Sequence, residues 1–419
     1  MEIESIIEFI ESKREYLDIC YKMYDIYNGN LSEYLREKLR SDMSGATASE
    51  AESRLSAVNI LPKVVNKLSK VYTSSNLSVY SRTNATEVED LIYSLKMTNI
   101  RQTANKMLNL HGITAIEIIK DEEGESLRVL PAHTFLIYSD NRKNPNKVTH
   151  FIKALEVTEE KEVYALYTED KYIEFNMEGE IIQELDNEYG VIPFVIMTRD
   201  STELLPASKK DDLEMMLLLP LLLTDCNYAL KYQAFSIIYA LNTDLSNIEL
   251  SPNAIWELNS NGGEGDKPEV GSIKPTLSVD DVIKNIEFQF SLYLDTKNIR
   301  SNILSHGDKR SVGNISGIAK IIDEADISED LEYQRNIFSR AEEELYQKIG
   351  AINKTTAYDN ASVNIIAKPA IPEEQQAKED RLIKQFEAGL ITKVDLIKKL
   401  HDFETREEAE NYIRELEND

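Results

Sequence analysis

Val163-Tyr164-Ala165-Leu166-Tyr167 and Tyr172-Ile173-Glu174-Phe175 are short runs of β-branched and aromatic residues with a period of two. Such runs form strands. Ala115-Ile116-Glu117-Ile118 and Phe135-Leu136-Ile137-Tyr138 belong to the same pattern. Turn signals at Glu123-Gly124 and Glu178-Gly179 separate the runs. Residues 113–197 therefore predict a β-rich insert of mostly antiparallel hairpins.

On both sides of the insert the period is helical. Ile3, Ile6, Ile7, Ile10, Leu17, Cys20, Tyr24 and Tyr27 recur at helical spacing. Asn28-Gly29-Asn30 ends that helical stretch. Leu31 to Leu39 predicts a short helix, and the small polar residues 41–53 predict a mobile loop. Residues 56–72 predict another helix, and 86–110 two more. Downstream, Ser208 to Leu241 reads as helix, with Pro220 kinking or breaking it. Glycines and prolines make 242–278 a compact region of turns and short strands around Trp256. Helices are predicted from Val279 to Asn298 and over 316–350. A Gly/Ser loop spans 299–313, Pro369 and Pro372 mark a linker, and 373–416 gives two tail helices. The fold class is α+β, mainly helical, with 419 residues suggesting two or three domains or one elongated subunit.

The chain carries 47 Lys+Arg against 74 Asp+Glu, a net charge of −27, which disfavours tight, extensive binding to nucleic acid or to an anionic membrane. The longest apolar run, Met215 to Leu223, is nine residues and contains Pro220. About 20 are needed to span a bilayer. The acidic start, Met1-Glu2-Ile3-Glu4, is unlike a signal peptide. Cys20 and Cys226 are the only two cysteines, as expected of a reducing compartment. A soluble protein made in a cytoplasm is expected.

Motifs for catalysis are missing. There is no P-loop, no C-x-x-C and no H-E-x-x-H. The five histidines lack ligand spacing. Ser305, His306 and Asp308 are sequence neighbours, whereas a triad needs convergence in space. Asp211-Asp212-Glu214 and Glu342-Glu343-Glu344 are acidic clusters that can serve either Mg²⁺ chemistry or helix faces in solvent. No cofactor and no enzymatic activity are expected. Charge along the chain is more informative. Glu156 to Glu188 holds 12 acids and 2 lysines. Ser53 to Arg82 holds no acid and five bases, Arg54, Lys63, Lys67, Lys70 and Arg82. Lys297, Arg300, Lys309 and Arg310 cluster in 297–313 against Asp308. Each basic stretch suits either weak phosphate contact or ion pairing with the acidic surplus.

The ordered series of segments resembles the portal proteins of tailed bacteriophages over about residues 15–350. Tyr24-Asp-Ile-Tyr27-Asn-Gly29-Asn is similar to the family's aromatic–Gly helix stop. Asn59-Ile-Leu-Pro-Lys63-Val-Val-Asn-Lys67 through Tyr72, then Leu77-Ser-Val-Tyr80, is similar to the helix and strand that follow. Asn105 to Leu110, His111-Gly112-Ile-Thr-Ala and Leu130-Pro131 are similar to the start of the β-rich wing. Gly190-Val-Ile-Pro193-Phe, Asp211-Asp-Leu-Glu214, and Pro220-Leu with Asn227 resemble the wing exit and descending stem helix. Gly313-Asn-Ile-Ser316-Gly317-Ile-Ala319-Lys320 resembles the start of the helix after the tunnel loop. Tyr72-Thr73-Ser74 lacks the glycine common in that strand's approach, and the clip shows no motif.

The resemblance implies an elongated, ring-forming subunit. It divides the chain into wing (1–207, with insert 113–197), descending stem helix (208–241), clip (242–278), ascending stem helix (279–298), tunnel loop (299–315), wing helices (316–368) and crown (369–419). It implies a ring, typically of twelve subunits, at one capsid vertex of the virion, assembled in the host cytoplasm. The ring passes double-stranded DNA during packaging and ejection, weakly and without sequence preference. The implied partners are terminase, head–tail adaptor, and major capsid or scaffolding protein, with no membrane. Lys297, Arg300, Lys309 and Arg310 become the tunnel-loop residues nearest DNA. The alternatives are another ring-forming head–tail adaptor or virion scaffold, and a metal-dependent nuclease using Asp211, Asp212 and Glu214.

Overall fold

The structure is a computed structural model that describes residues 3–43, 45–81, 85–122, 124–158, 161–199, 202–234, 237–241, 269–273, 279–299, 325–367, 375–389, 391–400 and 412–414. It separates into two units. The larger comprises residues 1–313 and 323–366, and the smaller comprises 314–322 and 367–419.

In the larger unit the chain opens with α1 (Ile3–Ser12), α2 (Arg14–Tyr27) and α3 (Leu31–Asp42). Gly29, at φ +113°, makes the turn between α2 and α3 that a side chain would strain. Residues expected to form a mobile loop contain α4 (Gly45–Glu52) instead. Ala48 and Ala51 are buried, and Glu52 pairs with Arg40 of α3 at 2.7 Å. Alanine favours helix wherever packing and an ion pair support it. The helix expected over 56–72 is shorter, α5 (Leu61–Leu68), with Pro62 in its first turn. β1 (Ser75–Ser81), α6 (Ala85–Ser94) and α7 (Met97–His111) follow. Gly112, at φ +81°, caps α7 and turns the chain into the insert.

The insert consists of two antiparallel sheets. β2 (Ile113–Asp121) lies between β3 (Gly124–Leu130) and β9 (Phe194–Thr198). β4 (Phe135–Tyr138), β5 (His150–Val157), β6 (Glu162–Tyr167), β7 (Lys171–Asn176) and β8 (Ile181–Asp186) form the other, in chain order. Its two faces differ. Leu136, Ile152, Leu166 and Phe175 pack under Ile6 and Ile10 of α1. Phe135, Ile137 and Phe151 face the first sheet and join Phe194 in a second core. Phe151 stacks on Phe194 at 3.8 Å and on Phe135 at 5.1 Å. Beside that stack, buried Glu117 of β2 accepts the ammonium of Lys153 of β5 and lies 3.0 Å from Arg128. The pattern of two in the sequence thus sorts side chains between two cores.

The largest core gathers Ile19, Met23 and Ile26 of α2 with α5, α7, the outer face of β2, and the helices after the insert. α8 (Lys210–Ala234) runs through Pro220 without a break. Buried Thr224, one turn on, donates its hydroxyl to the Pro220 carbonyl at 2.8 Å and accepts the Ser56 amide at 3.0 Å. The helix expected to reach Leu241 ends earlier. Ile237–Leu241 is a strand, β10, paired antiparallel with β11 (Glu269–Ile273). The run Ile237-Ile238-Tyr239 is β-branched and aromatic, which explains the switch. α9 (Val279–Thr296) packs on α8. α10 (Ala325–Ile352) supplies Phe338, Leu345, Tyr346 and Ile349 to the core. The segment 316–368, which the resemblance assigns to wing helices, closes in a strand beyond the helix predicted to 350: β12 (Ala361–Ala367), paired with β1. Ala361, Val363 and Ile365 are its buried side.

In the smaller unit the described elements are α11 (Gln375–Glu387) and α12 (Lys393–Leu400), which pack on each other. Gly389, Thr392 and Asp395 shape their connection, with Asp395 accepting from Thr392 Oγ1 at 2.6 Å. Trp256, Pro369 and Pro372 lie outside the described residues.

Candidate nucleic-acid interface

Of the four basic residues singled out by sequence, Arg300, Lys309 and Arg310 lie outside the described residues. Lys297 is described. It follows the last turn of α9, and its Nζ lies 2.6 Å from Asp212 Oδ1 and 2.8 Å from Oδ2. The ammonium also sits 5.6 Å from the Tyr293 ring centre. Asp212 is in the first turn of α8. The end of α9 therefore meets the start of α8, and the two packed helices run antiparallel.

Cationic groups crowd this junction. Burial holds the Lys209 ammonium below its usual range, the Lys297 charge adds to that, and Asp212 opposes it. Arg199, at the end of β9, donates Nη1 to Asn109 at 2.8 Å and Nη2 to Asp330 of α10. Gln334 then links Asp330 to Asn105 and Asn109 of α7, through bonds of 2.6, 2.8 and 3.0 Å. Asn105/Asn109 and Asp330/Gln334 are i, i+4 pairs, so each helix presents two polar groups on one buried face. Arg199 thus ties the end of the insert to two core helices, while Lys297 ties the end of α9 to α8.

The acidic clusters do not assemble a metal site. Asp211 and Glu214 are exposed, and Asp212 is engaged by Lys297. Among the described residues, no group of three or more His, Cys, Asp or Glu side chains is placed to hold a metal ion. Glu342, Glu343 and Glu344 diverge to separate partners. Glu342 receives Arg101 Nε at 2.9 Å, Nη2 at 2.7 Å and the Tyr72 hydroxyl at 2.8 Å. Glu343 accepts the Val363 amide at 3.0 Å, and Glu344 pairs with Lys348 at 2.7 Å. Sequence reading did not anticipate the Arg101–Glu342 pair; its partners are 241 residues apart.

Among the described residues, the two histidines that approach each other, His111 and His133, form no catalytic set. His111 is 1% exposed, with neither ring nitrogen hydrogen-bonded, and it stacks on Tyr24 at 6.5 Å. His133 is 6.5 Å from it. Burial pushes His111 down to about 3, with repulsion from His133 and Lys209 adding to it, and pushes His133 down to about 4. Both rings are neutral at neutral pH, His111 buried in the core and His133 half-buried. Cys20 and Cys226 are buried free thiols, and burial raises Cys20 to about 12. In the basic stretch 53–82, α5 carries Lys63 and Lys67, while Lys70 lies beyond its end. Among the described residues, no helix is long and apolar enough to cross a membrane.

No curated protein matches the chain. Solved structures resemble it distantly, among them two of gene transfer agent particles. The neck of an empty gene transfer agent particle, computed with C6 symmetry, is 10% identical with a TM-score of 0.42, covering 85% of this chain and 94% of that one. The virion of a native gene transfer agent particle is 11% identical with a TM-score of 0.38, covering 88% and 98%. These superpositions are loose and define no assembly for this chain. The phage portal protein family described as SPP1 Gp6-like matches residues 8–419, nearly the whole chain. The chain belongs to this family of phage portal proteins.

Proposed function

We propose that this chain assembles into a ring of twelve subunits at one capsid vertex of a virion. The ring's axial channel passes double-stranded DNA, and its exposed end docks terminase and later the head–tail adaptor. Family membership over residues 8–419 carries this reading. The family is structural, and the chain acts by position and shape rather than by catalysis.

In this proposal α8 and α9 are the stem. At ~1.5 Å per residue, the 25 residues of α8 span roughly 37 Å, a suitable channel wall. The paired strands β10 and β11 begin the clip. The insert and the helices around the main core form the wing, which faces capsid or scaffolding protein. The separate packing of residues from 367 onward supports a crown. The tunnel loop occupies 299–315, with Lys297 and Arg300 at its base. Lys297 already has Asp212 as its counter-charge. Arg300, Lys309 and Arg310 remain as the basic residues to meet the DNA, with Lys309 and Arg310 nearest to it.

The net charge of −27 suits a conduit. A wall of like charge repels phosphate, so the duplex moves without adhering, and a few bases per subunit centre it. Exchanging Lys309 and Arg310 together for glutamine tests this assignment. The expected result is reduced DNA packaging by particles whose rings assemble normally. Normal packaging by the double variant would remove both residues from the proposed contact.

A further inference from the structure

The five-stranded sheet ends differently on its two sides. β4, at one edge, has four residues, three of them buried. β8, at the other, has six residues and all are exposed. Among the described residues, nothing pairs with its outer edge. Ile181, Ile182 and Leu185 are 48%, 52% and 49% exposed. Proteins usually blunt such an edge with lysine, proline or a bulge, because unpaired N–H and C=O groups template a further strand. Ile181-Ile-Gln-Glu-Leu-Asp186 contains neither lysine nor proline. A register shift does occur beside Ile182, but Gln183 to Asp186 continue in regular pairing with Glu174 to Lys171.

A second feature adjoins the same segment. A cavity of about 550 Å³ opens beside Leu185 and Asp186, lined by Tyr167, Tyr172, Tyr189 and Glu188. Lys120 also lines it, but its ammonium is donated to Asn353 Oδ1 at 2.8 Å and to the Ile352 carbonyl at 3.4 Å. Tyr167 and Tyr172 meet edge to face at 4.9 Å. Aromatic faces with a carboxylate beside them suit a guanidinium or ammonium. The strand's own charges are Glu184 and Asp186, both paired with Lys171 of β7 at 2.9 and 3.4 Å, and the sequence from Glu156 to Glu188 holds 12 acids against 2 lysines, a net negative stretch.

We propose that β8 receives an extended segment of a basic partner polypeptide as a sixth strand, with an arginine or lysine of that segment seated in the tyrosine-lined cavity. Backbone pairing calls for an extended chain, and the charge calls for a basic one. Pairing β8 with the β8 of a second copy fits poorly: each strand carries Glu184 and Asp186 with the single Lys171 of β7 to offset them, so an acidic strand would meet an acidic strand, and like charges across a pair of strands are destabilising.

The test uses the purified full-length protein and a fluorescently labelled nine-residue peptide of alternating arginine and valine. Saturable binding by anisotropy is expected. The same peptide N-methylated on every residue keeps its charge but cannot pair its backbone, and at least tenfold weaker binding is expected. Leu185→Lys, at an exposed position, should weaken the unmodified peptide at least tenfold while circular dichroism stays unchanged. No saturable binding, or equal affinity for the methylated peptide, overturns the proposal. Disulfide-linked copies of a Gln183→Cys variant, formed without peptide, would overturn it as well, because the edge would then hold a second copy.

Discussion

Lys297 Nζ lies 2.6 Å from Asp212 Oδ1, joining the end of α9 to the first turn of α8. Both side chains are mostly shielded, 22% and 14% exposed, so the pair is screened less than a surface one. Removing one partner leaves the other partly buried and uncompensated. Asp212→Asn and Lys297→Met should each destabilise the fold by about 1–3 kcal/mol. The double variant should cost less than the sum of the two. Urea denaturation of all four proteins measures the coupling, and strict additivity would show that the contact has no energetic role.

The Arg101–Glu342 pair is buried more deeply, at 9% and 3% side-chain exposure. Arg101→Met strands a carboxylate in the main core beside Tyr72 and Tyr346. A loss of about 3–5 kcal/mol is expected for breaking one side of such a pair. Arg101→Met with Glu342→Leu should recover much of it, because no charge then remains unpaired. Denaturant midpoints of the single and double variants decide the point; a single variant as stable as the parent would contradict it.

Much of this arrangement was legible in the sequence, and the failures have physical causes. The β insert was readable because Phe135 to Tyr138 and Val163 to Tyr167 carry strand-forming residues between clear turns. β12 was missed although Ala361, Val363 and Ile365 alternate, because seven residues beside a long helix give only a weak period. The end of α8 was placed too late because the apolar residues of Ile237–Leu241 fit either period. Lys297 was grouped with the bases of 297–313, since charge summed along a chain ignores a carboxylate 85 residues away. The Arg101–Glu342 pair was invisible for the same reason. Family membership was legible in the order of segments rather than in one motif.

His111 and His133 make stability depend on acidity. Their folded values, about 3 and about 4, lie below the usual 6.5. The unfolded chain therefore binds more protons as pH falls below about 6.5, and stability drops until the pH passes the folded values. Above that window the contribution is constant. At pH 5 the loss is on the order of 2 kcal/mol per histidine. His133→Gln should flatten the decline in urea midpoint between pH 7 and pH 5. An unchanged decline would place the acid sensitivity elsewhere.

In the proposed function, copies of this chain close into a ring around a channel. Electron microscopy of the purified full-length protein tests it directly. Annular particles with twelve-fold symmetry and an axial opening wide enough for a DNA duplex are expected. A monomer at every concentration, or open filaments without closure, would contradict it.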